Sequence, residues 1–118
     1  MELKFVAEQK PGKADAVVAR RQKLIRRIDQ QIVLVHDMIA GREQRASWVW
    51  MDGNGQYYVP IKYGRTILEL KKGMFSILCK DLDECEHALC TVRAQVLAGQ
   101  VDDLLTKASA DIRKRFGK

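Results

Sequence analysis

Apolar residues recur at helical spacing through the first third of the chain and then give way to alternation. Val17, Leu24, Ile25, Ile28, Ile32, Val35 and Ile39 fall within about 100° of one another on a helical wheel. That stripe predicts a helix from a cap at Asp15 to about Ala40, with Gly41 as its stop. A short extended or flexible stretch, residues 1–14, precedes it and contains the Pro11-Gly12 break. The polar GREQRA segment then links the helix to four alternating segments, residues 47–51, 56–63, 66–71 and 74–80. Tight turns at DGNG, Gly64-Arg65 and Lys72-Gly73 separate them, where glycine supplies the positive φ that hairpin turns need. Asp81 reads as the N-cap of a helix ending near Gly99, with Asp83, Glu84 and Glu86 where a helix dipole favours anions. A last helix over residues 102–115 has Asp102 as its expected cap. The predicted fold is a single α+β domain over residues 1–118: a long N-terminal helix, a four-stranded antiparallel β-meander, and two C-terminal helices packed on one sheet face.

The turns also predict a register, pairing 50 with 57, 61 with 68 and 70 with 75. One face then collects Trp48, Trp50, Tyr57, Val59, Ile61, Tyr63, Thr66, Leu68, Leu70, Phe75, Ile77 and Cys79, with no charge among them. This bears on the window SWVWMDGNGQYYVPIKY, which holds both Trp and all three Tyr of the chain. Base-stacking sheets set isolated aromatics among basic and polar residues. Here the aromatics continue into LEL and FSI, so Trp48, Trp50, Tyr57 and Tyr63 are expected to form a core wall beneath the helices. On that register Tyr58 alone projects the other way.

Composition adds little beyond a globular class: 118 residues, 47% apolar and 31% charged. No apolar run approaches the ~20 residues of a membrane span, and the opening MELKFVAEQKPGKAD lacks the continuous apolar stretch of a secretory signal. Three cysteines without a C-x-x-C pair fit a reduced, cytoplasmic setting. Charge is more telling. Of the net +6, residues 1–72 carry all of it, with 14 Lys/Arg against 8 Asp/Glu, whereas residues 73–118 balance at 7 against 7. A basic surface is the footprint of nucleic acid or another acidic partner.

Two basic surfaces stand out. On the first helix Arg20, Lys23 and Arg27 lie within roughly 60°, with Arg26 further round, a ridge that can follow phosphates or simply face solvent. On the second sheet face Lys62, Lys71 and Lys80, with Arg65 at a turn, interleave with Val49, Tyr58, Ile67 and Leu78. Such a face is a solvated surface with snorkelling lysines, or an interface to a second copy or a nucleic-acid backbone. Arg21 projects inside the apolar stripe, so it either snorkels past the core edge or, the better reading, makes a structural ion pair with a carboxylate such as Glu69.

Catalytic and metal signatures are not found. Cys85-x-His87-x-x-Cys90 places Cys85 about 140° from Cys90 and about 160° from His87 on a helix, so the three cannot converge as zinc ligands. Buried small cysteines are the expected account. His36 has no nucleophile placed to use it, and Asp83 at i−4 to His87 reads as a surface pair. Phosphate-loop, dinucleotide, nucleophile-elbow and zinc-protease motifs are all missing, so neither an enzyme nor a cofactor is expected.

The segments VVARRQKLIRRIDQQI, a Trp-x-Trp strand, DGNG, YYVPIKYGRTILELKKG, AGQVDDLL and RKRFGK follow one another in order. The series resembles a family of small bacterial proteins classed as a domain of unknown function. The matching positions are Arg20, Arg21, Lys23, Leu24, Trp48, Trp50, Tyr63, Gly64, Leu68, Glu69, Leu70, Gly73 and Gly99. The chain departs from that pattern in a shorter helix-to-sheet connection and in ending RFGK, with Phe before Gly. The resemblance implies a bacterial, soluble, single-domain protein and carries no activity or site. Two functions are therefore expected. One is a non-enzymatic nucleic-acid-binding or regulatory module using Arg20, Lys23, Arg26, Arg27, Tyr58, Lys62 and Lys71. The other is a protein-interaction module with no nucleic-acid role that self-associates, as a homodimer for example, through the first helix or the second sheet face, its charge serving solubility.

Overall fold

The computed structural model describes residues 2–8 and 15–116. Three helices and antiparallel strands make an α+β fold. Helix α1 spans Asp15–Ile39, strand β1 Trp50–Met51, β2 Tyr57–Pro60, β3 Lys62–Tyr63, β4 Thr66–Ile67 and β5 Ser76–Cys79; α2 spans Leu82–Leu97 and α3 Asp102–Phe116. The helices lie close to where periodicity puts them. Asp81 caps α2 as expected, its Oδ1 accepting from the Glu84 amide at 2.8 Å. Residues 2–8 form no regular element, and the Pro11-Gly12 break lies outside the described residues. No described helix is long and apolar enough to cross a membrane.

The four-stranded meander is not formed. The strands make a three-stranded sheet in the order β1-β2-β5 and a separate two-stranded pair β3-β4. Pro60 is the hinge of this change. Having no N–H, it ends the ladder at its pairing with Ser76, and the chain beyond it pairs instead with β4. Two of the three turn registers match expectation: Lys62 faces Ile67 with the Leu68 amide donating to Ile61, and Lys71 bridges Met74.

The first turn does not. Trp50 pairs with Tyr58 and Met51 with Tyr57, one residue away from the expected register. Asp52 causes the difference. Its Oδ1 accepts from the amides of Asn54 and Gln56, and the Asp52 amide donates to Gln56 O at 2.9 Å. The loop is therefore three residues, Gly53 to Gly55, with Gly55 at φ +81, rather than the two-residue turn assumed from DGNG. A one-residue slip turns every side chain of the strand to the opposite face. Trp50 consequently leaves the core wall and stands 50% exposed. Phe75, also expected in the core, is 48% exposed beside the second hairpin.

One buried cluster still draws on all three helices and both sheets. Leu24, Ile28 and Val35 from α1 meet Val59, Ile61, Tyr63 and Leu68, with Leu89 and Val96 from α2 and Leu105 from α3. Helix α2 lies on β2 and β5, α1 lies on α2, and α3 packs on α1. So α2 covers the three-stranded sheet, while α3, expected on the same face, packs on α1. Arg21 is in an ion pair as its position predicts, but with Asp102 and not Glu69: Nε donates to Oδ1 at 2.8 Å and Nη2 to Oδ2. Asp102 is thus tied to α1 instead of capping α3, and Glu69 receives the Gly73 amide at 2.7 Å in its own turn.

Candidate functional site

The outward face of α1 and the β3-β4 hairpin converge on the linker between α1 and β1. A cleft of about 400 Å³ opens between them, lined by Arg27, Arg45, Lys62 and Arg65 together with Ser47 and Trp48. Among the described residues no carboxylate lines it. None of the four cations makes an ion pair among the described residues. Like charges brought to one cleft repel one another, so a bound anion gains attraction to four cations and relieves that repulsion together.

Each side of the cleft has its own support. On α1, Lys23 stands one turn before Arg27 and carries its ammonium over the Tyr63 ring, 5.1 Å from the centroid. That contact ties the helix to the hairpin bearing Lys62 and Arg65. The linker is fastened by Gln31, a polar side chain only 6% exposed within the core-facing surface of α1. Gln31 Nε2 donates to Ala46 O at 3.2 Å, and its Oε1 accepts from the Trp48 amide at 2.7 Å. Asp37 holds the other end, accepting from Arg42 and from Gln44 Nε2. GREQRA is therefore a docked loop, and it delivers Arg45 and Trp48 to the cleft.

The outer sheet face carries a second feature. Trp50 and Tyr58 stack with ring centroids 4.2 Å apart and planes 14° from parallel. Tyr58 Oη donates to Asp52 Oδ2 at 2.8 Å. That bond, followed by the Gln56 amide, holds the Asp52 carboxyl below the usual range, and the same bond raises the Tyr58 phenol.

The expected site residues divide. Arg27 and Lys62 line the cleft and Lys23 flanks it through Tyr63. Arg20 is half-buried and Arg26 exposed on α1. Tyr58 belongs to the stacked pair. Lys71 lies apart, at the rim of a groove of about 470 Å³ formed with α2 and α3. Arg45 was not among the expected residues, because a six-residue polar linker gives no periodicity from which to place it. Its signal is the excess of basic residues in the first 72 positions, to which it contributes. The cysteine-histidine motif diverges as its wheel positions require: Cys85 is buried, whereas His87 and Cys90 are exposed. The Cys79 and Cys85 thiols meet inside the core, and burial pushes Cys85 up to about 12, so it stays protonated. His36 Nε2 lies 3.0 Å from Glu86 Oε1 and links α1 to α2.

No family model, curated protein or solved structure matches the chain. That is consistent with a family lacking a characterised member, and no activity or ligand can be carried over from a relative.

Proposed function

We propose that the protein is a non-enzymatic binding module that engages the phosphate backbone of nucleic acid through the cleft between α1, the 42–48 linker and the β3-β4 hairpin. The observation that carries this reading is the gathering of Arg27, Arg45, Lys62 and Arg65 around one cavity that no carboxylate of the described residues lines. Arginine forks grip phosphate oxygens in pairs, and lysine adds a mobile point charge. Each phosphate neutralised releases counterions, so affinity falls as salt rises. Four cleft cations give a slope of log K against log salt of about −2.8 on a single strand and about −3.6 on duplex. Fluorescence anisotropy with a labelled mixed-sequence oligonucleotide measures it. Absence of binding at about 50 mM salt, where phosphate contacts are strong, contradicts the proposal.

Self-association is the second reading, supported by the exposed Ile67, Met74 and Phe75 around the second hairpin. A cavity of about 190 Å³ separates that hairpin from Leu104 and Lys107 of α3. Light scattering that returns a monomer at high concentration counts against it.

A further inference from the structure

The register slip that turns Trp50 outward leaves aromatic surface on the sheet face opposite the one that α2 covers. Across the three strands, Trp50, Tyr58 and Leu78 form one row, since Trp50 pairs with Tyr58 and Tyr58 with Leu78. Helix α2 lies against β2 and β5, yet Trp50 and Leu78 are 50% and 56% exposed, which puts the row on the opposite face. The rings are held in place before any partner arrives, by their mutual stacking and by the Tyr58 to Asp52 hydrogen bond. A half-exposed stacked pair offers its remaining π-surface to a further planar ring.

We infer that Trp50 and Tyr58 form a base-stacking platform that makes the protein selective for single-stranded nucleic acid; this rests on the nucleic-acid reading of the cleft. Two observations favour a nucleic-acid strand over other occupants. The first is continuity with the cationic cleft. Trp48 lines the cleft and Trp50 follows two residues later, so their Cα atoms are at most about 7 Å apart. Lys62, also in the cleft, is four residues from Tyr58 in sequence, which puts their Cα atoms at most about 14 Å apart. A strand of a few nucleotides can therefore leave its phosphates in the cleft and lay a base on the pair. The second is pre-organisation: Asp52 receives the Asn54 and Gln56 amides and the Tyr58 hydroxyl, which fixes the turn and the Tyr58 ring before a base arrives, and the cations that offset its negative charge are those of the cleft. In duplex the base faces are consumed by stacking on each other and only edges are presented, so the platform contributes nothing there.

The experiment uses the full chain, a labelled mixed-sequence DNA strand of about fifteen nucleotides, and the same strand annealed to its complement, at about 50 mM salt. Wild type is expected to favour the single strand. Trp50→Ala should weaken single-strand binding by about 5- to 140-fold, the loss for one stacked base, while leaving duplex binding and the salt slope unchanged. Trp50→Phe, which keeps a ring, should retain most of the single-strand affinity and guards against a mere folding defect. Equal losses on strand and duplex, or no loss on either, overturn the platform while the cleft stands. Wild type that dimerises and Trp50→Ala that does not, with unchanged strand affinity, overturns it in favour of a second copy. Binding to neither nucleic acid removes the cleft reading and the platform together.

Discussion

Gly99 joins two constraints that a single methyl group would violate, which makes Gly99→Ala an informative perturbation. The residue ends the α2-α3 corner at φ +80, a left-handed conformation that costs an alanine about 1–2 kcal/mol. A Cβ built there falls 2.8 Å from Arg21 Nη2 and 3.1 Å from Asp102 Oδ2. The methyl group therefore pushes the Arg21 guanidinium off its two-point grip on Asp102, a second penalty of at most about 1 kcal/mol for a part-exposed pair. At this chain length the backbone cost alone lowers Tm by roughly 4–8 °C. The second penalty depends on Arg21 and the first does not, so a double-mutant cycle separates them. Urea unfolding followed by circular dichroism should show Gly99→Ala costing about 1–2 kcal/mol in an Arg21→Ala background and clearly more in wild type. An identical cost in both backgrounds refutes the steric link, and a cost below about 0.5 kcal/mol in either refutes the left-handed conformation.

Three other outcomes follow from the same geometry. Arg21 holds the Asp102 carboxyl low, and Tyr58 then the Gln56 amide do the same for Asp52, so both contribute stability that is complete above the unfolded carboxylate pKa of about 3.9. Unfolding free energy should be flat from about pH 7 to 5 and drop as pH falls below about 4, more steeply than in an Asp52→Asn/Asp102→Asn variant; parallel curves contradict it. Gln31→Leu strands the Trp48 amide and the Ala46 carbonyl, and should cost about 1–3 kcal/mol with rapid hydrogen exchange at the Trp48 amide, which wild type protects. Trp50→Ala, at a half-exposed position, should cost under about 2 kcal/mol, whereas Ile61→Ala, at a fully buried one, should cost about 2–5 kcal/mol; the reverse order would restore the core placement of Trp50.

The helices are legible in the sequence because their signals are local and redundant. The stripe from Leu24 to Val35 and the Asp81 cap each report on a few neighbouring residues. Turns with a single plausible glycine, Gly64 and Gly73, yield correct registers for the same reason. The DGNG turn offers Gly53, Asn54 and Gly55 as competing solutions, and the choice rests on what the Asp52 carboxylate accepts, which spacing cannot reveal. That one residue moved Trp50 from core to surface. Strand order is less accessible still, because the pairing of β5 with β2 depends on distant packing, and only its end is set by the missing N–H of Pro60. For the site, half of the cleft was visible as basic residues on α1 and at Lys62. Arg45 was hidden because the docking of its linker rests on Gln31, which in sequence is one polar residue at the edge of an apolar stripe.

Paired charge removal decides whether the cleft itself holds the strand. Arg27→Gln with Lys62→Gln takes two cations from the cleft, and Arg20→Gln with Arg26→Gln takes two from positions of α1 that do not line it. Salt titrations of oligonucleotide binding should show the slope shallower by about 1.4 to 1.8 for the cleft pair. The α1 pair should leave the slope near the wild-type value. Equal loss from both pairs would mean that net charge alone, and not the cleft, binds the strand.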